Sequence, residues 1–199
     1  MKAALVERGL SPVAEHEGEY QAFSFKDPDG FRVRVSNATK AMRRKTAATG
    51  TLEAPAPFKP TGWKTVFVDH LSFEVADYQR SVAFYEALLG WQVRRQIVPP
   101  AWPDSPRSST VRIGDIAGAI IRNGRGAASG PVTATIGHIS FGIDPWNVER
   151  VRAELIERDV VYDINGRRIP RDDIAGGLES VHVPDAMGWD LQISNRTTS

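Results

Sequence analysis

Hydrophobic positions in this chain switch between two periods, and the switches mark its elements. From Val66 to Val75 apolar and polar residues alternate. Leu71, Phe73 and Val75 share one side, and His70, Ser72 and Glu74 the other, as in a half-buried strand. The period then lengthens. Val82, Tyr85, Leu88 and Leu89 fall on one face of a helix predicted over Tyr78–Leu89, with Asp77 as N-cap and Gly90 just past its end. Trp91–Val98 reads as a second strand, and Ser109–Ile113 with Ala117–Arg122 as a hairpin about Gly114-Asp115. The same order then returns. Ile136–Ile143 is a strand, and a helix starts at Asp144-Pro145 with Val148, Val151, Leu155 and Ile156 as its apolar stripe. Val160–Ile164, Ser180–Val183 and Trp189–Ser194 are three more strands. Each unit is therefore β-α-β-β-β.

Residues repeat as well as periods. His70-Leu-Ser-Phe-Glu-Val returns as His138-Ile-Ser-Phe-Gly-Ile. Near the N-terminus, Met1-Lys-Ala-Ala-Leu-Val-Glu-Arg echoes Val151-Arg-Ala-Glu-Leu-Ile-Glu-Arg, and Gly30-Phe-Arg-Val-Arg-Val-Ser-Asn echoes Gly188-Trp-Asp-Leu-Gln-Ile-Ser-Asn. The C-terminal copy has a longer loop, around Asn165–Gly177. These echoes predict two complete modules, 65–123 and 132–195, forming one domain over 65–195. Residues 1–37 read as a partial module without its first strand. Residues 38–64, with Pro55, Pro57 and Pro60, read as a linker whose Arg43-Arg44-Lys45 run is solvated.

Composition removes several classes of function. Lysine plus arginine is 25 and aspartate plus glutamate 24, so no broad basic surface is available for nucleic acid. The absence of cysteine excludes a disulfide scaffold, a thiolate zinc site and a cysteine nucleophile. No apolar run approaches the ~20 residues that span a bilayer. The N-terminus carries Glu7 and Arg8 where a signal peptide would be apolar. A cytoplasmic protein that binds neither membrane nor nucleic acid is expected. There is no Gly-x-Ser-x-Gly elbow, phosphate-binding loop or His-Glu-x-x-His helix.

The polar faces of the strands hold the candidate chemistry. His70 and His138 occupy equivalent repeat positions on such faces, His182 lies on a third, and Asp190, Gln192 and Ser194 share a fourth. A polar face that folds inward must be wet, paired or liganded, and neutral imidazole is a common metal ligand. The fourth histidine, His16, sits among Glu15, Glu17 and Glu19 and reads as a surface residue.

These residues also carry a resemblance. Asp69-His-Leu-Ser-Phe-Glu-Val-Ala-Asp followed by Ser81-Val-Ala-Phe-Tyr-Glu-Ala-Leu-Leu-Gly-Trp resembles the vicinal oxygen chelate superfamily, as does the Asp27-Pro-Asp-Gly turn. That superfamily includes glyoxalase I, extradiol dioxygenases, bleomycin- and fosfomycin-resistance proteins and methylmalonyl-CoA epimerase. The resemblance implies an α+β fold in which paired βαβββ modules form a half-open barrel of two curved mixed sheets with helices outside. It implies metal ligands at His70, His138 and Gln192, with the glutamine standing where a glutamate is more usual. Iron, manganese, zinc and nickel are the divalent candidates. His182 falls at a site-facing position, and His182 and Glu74 are the candidate proton carriers. The second turn, Asp185-Ala-Met-Gly, departs from the family pattern. In the N-terminal fragment Arg34 stands in place of Gln192 and Ser24 in place of His182, so no cation site is expected there.

Two classes of function follow. One is a metal-dependent enzyme acting on a small oxygen-bearing substrate, by isomerase or lyase chemistry or by extradiol ring cleavage. A neutral glutamine leaves the ion about one charge more positive, which favours the former; the ligand layout favours the latter. The other is a metal-free binding or resistance protein that holds a small molecule between Trp102 and the loop bearing Arg167, Arg168 and Arg171. The incomplete N-terminal module also offers a surface through which a second copy could complete it.

Overall fold

The computed structural model describes residues 1–17, 20–39, 57–97, 108–115, 117–124, 133–175 and 178–196. The linker basic run, the loop with Pro99, Pro100, Trp102, Pro103 and Pro106, and most of the glycine-rich stretch before Pro131 lie outside these residues. The chain divides into two compact units, Met1–Pro55 and Ala56–Ser199.

The first unit holds helix α1 (Lys2–Glu7) and strands β1 (Val13–Glu17), β2 (Tyr20–Lys26) and β3 (Arg32–Ser36), in an antiparallel sheet of that order. Its last turn is closed by Asp27, whose Oδ1 accepts from the backbone N–H groups of Asp29 and Phe31. The polar positions of this sheet neutralise one another. Glu15 pairs with Arg32 and with Arg34 and accepts a hydrogen bond from Ser24. His16 is exposed.

The second unit carries β4 (Lys64–Val75), α2 (Tyr78–Leu89), β5 (Gln92–Ile97), β6 (Ser108–Ile113), β7 (Ala117–Asn123), β8 (Thr135–Asp144), α3 (Val148–Glu157), β9 (Tyr162–Ile164), β10 (Arg167–Ile169), β11 (Arg171–Ala175), β12 (Leu178–Pro184) and β13 (Asp190–Ser194). Eight of these strands form one mixed sheet, ordered β11-β12-β13-β8-β4-β7-β6-β5. From the centre outward the two halves read alike, as β4-β7-β6-β5 and β8-β13-β12-β11. The central pair β4 and β8 is antiparallel, while β4 with β7 and β8 with β13 are parallel. The fold is thus mostly strand, with mixed pairing and no closed barrel. Among the described residues no helix is long and apolar enough to cross a membrane.

Helix α2 forms where its local signals put it. Asp77 accepts from the N–H groups of Gln79 and Arg80, and Gly90 ends the helix at φ 69°, a conformation that costs a side chain energy. Helix α3 starts later than Asp144-Pro145 suggests. Asp144 is instead the last residue of β8, and Asn147 caps the helix by accepting from Arg150 N–H. Val151 and Leu155 of α3 then pack with Ile143, Val181 and Val183 into a buried cluster flanked by Trp63, Trp146 and Leu191.

The second module also departs from the expected strand list. Tyr162–Ile164 does not join the main sheet. Asn165 and Gly166 both adopt positive φ (55° and 77°) and turn the chain back, so β9 pairs with β10 in a separate hairpin. The sheet position beside β12 belongs to β11. The stretch expected as a long loop therefore contains two strands. The Asp185 turn, despite its altered sequence, is built like that of Asp27. Asp185 Oδ1 accepts from the N–H groups of Met187 and Trp189, and Gly188 takes φ 82°.

Candidate metal centre

The centre forms at the seam between β4 and β8, and two irregularities in that seam shape it. Val68 faces Phe141 and His70 faces Ser140, which leaves Asp69 as an extra residue. Ser72 faces His138 and Phe73 faces Ile136, which leaves Gly137 as the equivalent extra residue. Each repeat histidine is therefore preceded by a bulge, where strand alternation fails. At Asp69 the consequence is chemical. Its carboxylate is buried and accepts a hydrogen bond from His70 Nδ1 at 2.8 Å.

Fixing the proton of His70 on Nδ1 leaves its Nε2 lone pair bare. That lone pair faces His138 Nε2 at 3.0 Å, with the two rings edge to face. His138 is buried and held neutral, its pKa pushed down to about 3 by burial and then by the neighbouring positive positions of His70, His182 and Arg122. At this distance either a neutral His138 donates its Nε2–H to His70 Nε2, or both lone pairs face one metal ion. Two ligand nitrogens each about 2.1 Å from one ion and at right angles to each other lie about 3.0 Å apart.

The parallel pairing of β13 with β8 brings in the remaining groups. Asp190 lies opposite His138, and Gln192 lies opposite Ser140, in one row with His70 and His182. His182 Nδ1 sits 3.0 and 3.1 Å from the two oxygens of Asp190, which also accepts from Tyr162 Oη at 2.7 Å and pairs with Arg171 at 3.0 Å. Burial alone would raise the Asp190 pKa, but the hydrogen bonds from His182 and Tyr162 and the charge of Arg171 hold it down to about 2. Burial and the bond to Asp190 push the Tyr162 hydroxyl up. Asp69 is likewise held low, because the His70 hydrogen bond and the Arg196 guanidinium outweigh its burial.

The donors fit a cation. Gln192 is 2% exposed; its Nε2 donates to Ser180 Oγ at 2.8 Å, while its Oε1 is buried with no hydrogen-bond partner among the described residues. A buried amide oxygen without a partner is costly, and an ion or a ligand proton would satisfy it. A second donor set is also present. Ligand atoms of His138, His182 and Asp190 all lie within 4.8 Å of one another.

The structure thus gathers His70, His138, His182 and Gln192 about one seam. Glu74 lies further along β4, opposite Thr135, with its carboxylate over the small Gly137. Among the described residues no hydrogen bond joins it to the histidines. Of the three arginines named from the sequence, Arg171 reaches the centre through Asp190 and lies over the Tyr162 ring. Arg168 pairs with Asp159 instead, and Arg167 is exposed. Asp69, Asp190 and Tyr162 were not singled out from the sequence. Asp190 shares the polar face of Gln192, a signal that was there to read; Asp69 appears on the apolar face until the bulge is known.

The two halves of the sheet place their carboxylates differently. His70 has Asp69 in its bulge and Gly118 opposite it on the parallel strand. His138 has Gly137 in its bulge and Asp190 opposite it on the parallel strand. Asp69 hydrogen-bonds its histidine, whereas Asp190 lies 3.8 Å from His138 Nδ1 and hydrogen-bonds His182 instead.

Residues 67–193 match the family model for the glyoxalase/bleomycin resistance protein/dioxygenase superfamily. The chain belongs to that superfamily. Among solved structures it is similar to the 2,3-dioxygenase LapB from Pseudomonas sp. KL28, with TM-score 0.65 and 17% identity, covering 96% of this chain and 65% of that one. It is similar to BphC, a halotolerant catechol dioxygenase, with TM-score 0.60 and 15% identity, covering 96% of this chain and 61% of that one. The methylmalonyl-CoA epimerase of Mycobacterium tuberculosis aligns with TM-score 0.49 and 14% identity over 69% of this chain and 93% of that one. The chain thus spans less than two thirds of the length of these two dioxygenases. A search of curated proteins finds no match.

Proposed function

We propose that the protein is a cytoplasmic, metal-dependent enzyme that binds a small substrate through adjacent oxygen atoms. The observation that carries this reading is the 3.0 Å approach of His70 Nε2 to His138 Nε2, with Asp69 fixing the His70 tautomer. His70, His138 and the Oε1 of Gln192 would hold a divalent ion, iron, manganese, zinc or nickel. Asp69 would orient the His70 imidazole from behind, and Asp190 that of His182. The bound ion would supply Lewis acidity toward substrate oxygens. With two imidazoles and an amide, the site keeps the full charge of the ion, which suits an enolate-like anion and an isomerase or lyase reaction. Extradiol ring cleavage, the activity suggested by the names of the structurally similar dioxygenases, is the second reading.

The protein's own groups have defined parts. His182, its Nδ1–H held by Asp190, accepts a proton from substrate at Nε2. Arg171 and Tyr162 hold Asp190 ionised through that transfer. Glu74 is placed about 7 Å further along β4 than Ser72, two residues at ~3.3 Å each, and would exchange protons at the rim.

Metal content by mass spectrometry, on wild type and single variants reconstituted with each ion, tests the site. Near-stoichiometric metal is expected in wild type and His16→Ala, with loss in His70→Ala and in His138→Ala. His182→Phe should keep the metal and lose turnover; loss of metal there moves the ion to the set of His138, His182 and Asp190. Stoichiometric metal in both His70→Ala and His138→Ala overturns the reading.

A further inference from the structure

The two halves of the sheet differ in one respect that the metal reading does not use. On the module-two side the concave face is filled. His182, Asp190 and Gln192 occupy it, and Tyr162 and Arg171 close over Asp190. The equivalent positions on the module-one side carry small or apolar residues. Thr110 stands where His182 stands, Gly118 where Asp190 stands and Ile120 where Gln192 stands. A cavity of about 190 Å3 opens there, with His70 and Gly118 in its lining.

That cavity has an apolar wall and a basic rim. Phe67 and Ile120 form the wall, and Arg94, Arg112 and Arg196 lie at the rim. Two of the three cations are matched. Arg196 pairs with Asp69 at 3.2 Å, and Arg112 gives Nη2 to Asp115 and Nε to the Gly114 carbonyl. Arg94 has no ion pair or hydrogen bond among the described residues. It is the extra residue where β5 pairs irregularly with β6 between Val93 and Arg95. Among the described residues the cavity therefore carries one unmatched positive charge, together with N–H donors on Arg112 that have no partner there. Its volume is close to that of an apolar cavity of about 150 Å3 that takes a benzene molecule.

We infer that this module-one cavity is the substrate pocket and that it selects a small carboxylic acid of about the bulk of a single ring, its carboxylate held by Arg94 and Arg112. The inference rests on the metal reading only for the statement that the bound acid is the substrate; the anion pocket itself stands on the cavity and its arginines. The ring lies against Phe67 and Ile120. Gly118, having no side chain, leaves open the space beside the Asp69 carbonyl and His70 Cβ. The reacting oxygens would come from the His70 end and the carboxylate from the outer end, so charge fixes the direction in which the substrate enters.

Benzoate and benzamide are matched probes, alike in shape and different in charge. Protein NMR titrations on wild type and on Arg94→Gln, with metal content measured on the same samples, separate the possibilities. Wild type should bind benzoate at least about tenfold more tightly than benzamide. The His70 ring signals should shift on saturation, which locates the ligand. Arg94 is exposed, so Arg94→Gln should fold normally, keep its metal and lose most of the preference for benzoate. Equal affinity for the two probes in wild type overturns the inference, as does an undiminished benzoate preference in Arg94→Gln or the absence of any His70 shift. A sample without metal that still prefers benzoate overturns the metal reading alone, and a metal-loaded sample without the preference overturns the pocket alone.

Discussion

Replacing Asp190 by asparagine preserves the shape of the side chain and removes its charge, so its effect on stability can be worked out from one group. In the folded protein the Asp190 carboxyl is held near pH 2, against 3.8 ordinarily. A shift of that size corresponds to roughly 2 kcal/mol of stabilisation at neutral pH. The sign follows from the direction. A carboxyl depressed on folding stabilises above its unfolded pKa, and the contribution disappears as pH falls through the folded value. The wild-type advantage over Asp190→Asn should therefore be about 2 kcal/mol at pH 7, about half of that at pH 3, and only about 0.4 kcal/mol at pH 2. Urea unfolding of both proteins, freed of metal by a chelator and followed by tryptophan fluorescence at each pH, measures it directly. A gap that stays constant from pH 7 to pH 2 would mean that packing, not charge, is what the substitution removes. No gap at pH 7 would mean that His182, Tyr162 and Arg171 gain nothing from the carboxylate.

Three further outcomes are expected. His138, held neutral down to about pH 3, leaves the unfolded chain with an extra proton as pH falls below 6.5, so the metal-free protein loses stability on acidification. His138→Gln should remove up to about 1.4 kcal/mol per pH unit from that slope between pH 6 and 4, read from urea midpoints. Gln192→Glu restores a charged donor while Ser180 turns its hydroxyl toward the new carboxylate, and should tighten divalent metal by at least about tenfold in a competition titration. Asp77→Ala removes the acceptor for two N–H groups at the start of α2 and should cost about 1 kcal/mol in chemical denaturation, with metal content unchanged.

What could be read from the sequence was whatever depended on neighbours along the chain. Helix α2 announces itself through its cap, its period and its terminal glycine, all within fifteen residues of one another. The repeat and the strand faces drew attention to His70, His138 and His182, and the family resemblance added Gln192. Asp69 was hidden because a bulge is a property of two paired strands, and no reading of β4 alone reveals it. The role of Asp190 depends on lying opposite His138 across a parallel pair, which is again a matter of register. At Asp144-Pro145 a strong local helix signal yields to the continuation of β8. Asn165-Gly166 is a strong hairpin signal too, but expecting the second module to copy the first concealed it.

The paired bulges have one more consequence. His70 and His138 belong to different modules, so they meet only if β4 and β8 join in a single alignment. A slip of one residue along that seam would carry one histidine to the opposite face of the sheet and move it about 3.4 Å along the strand. The extra residues at Asp69 and Gly137 sit like two stops on a zip, one on each strand, and a slipped register would have to displace both. An ion bound across the seam would rivet the same joint. Assembly of the two halves and the meeting of His70 with His138 are then a single event.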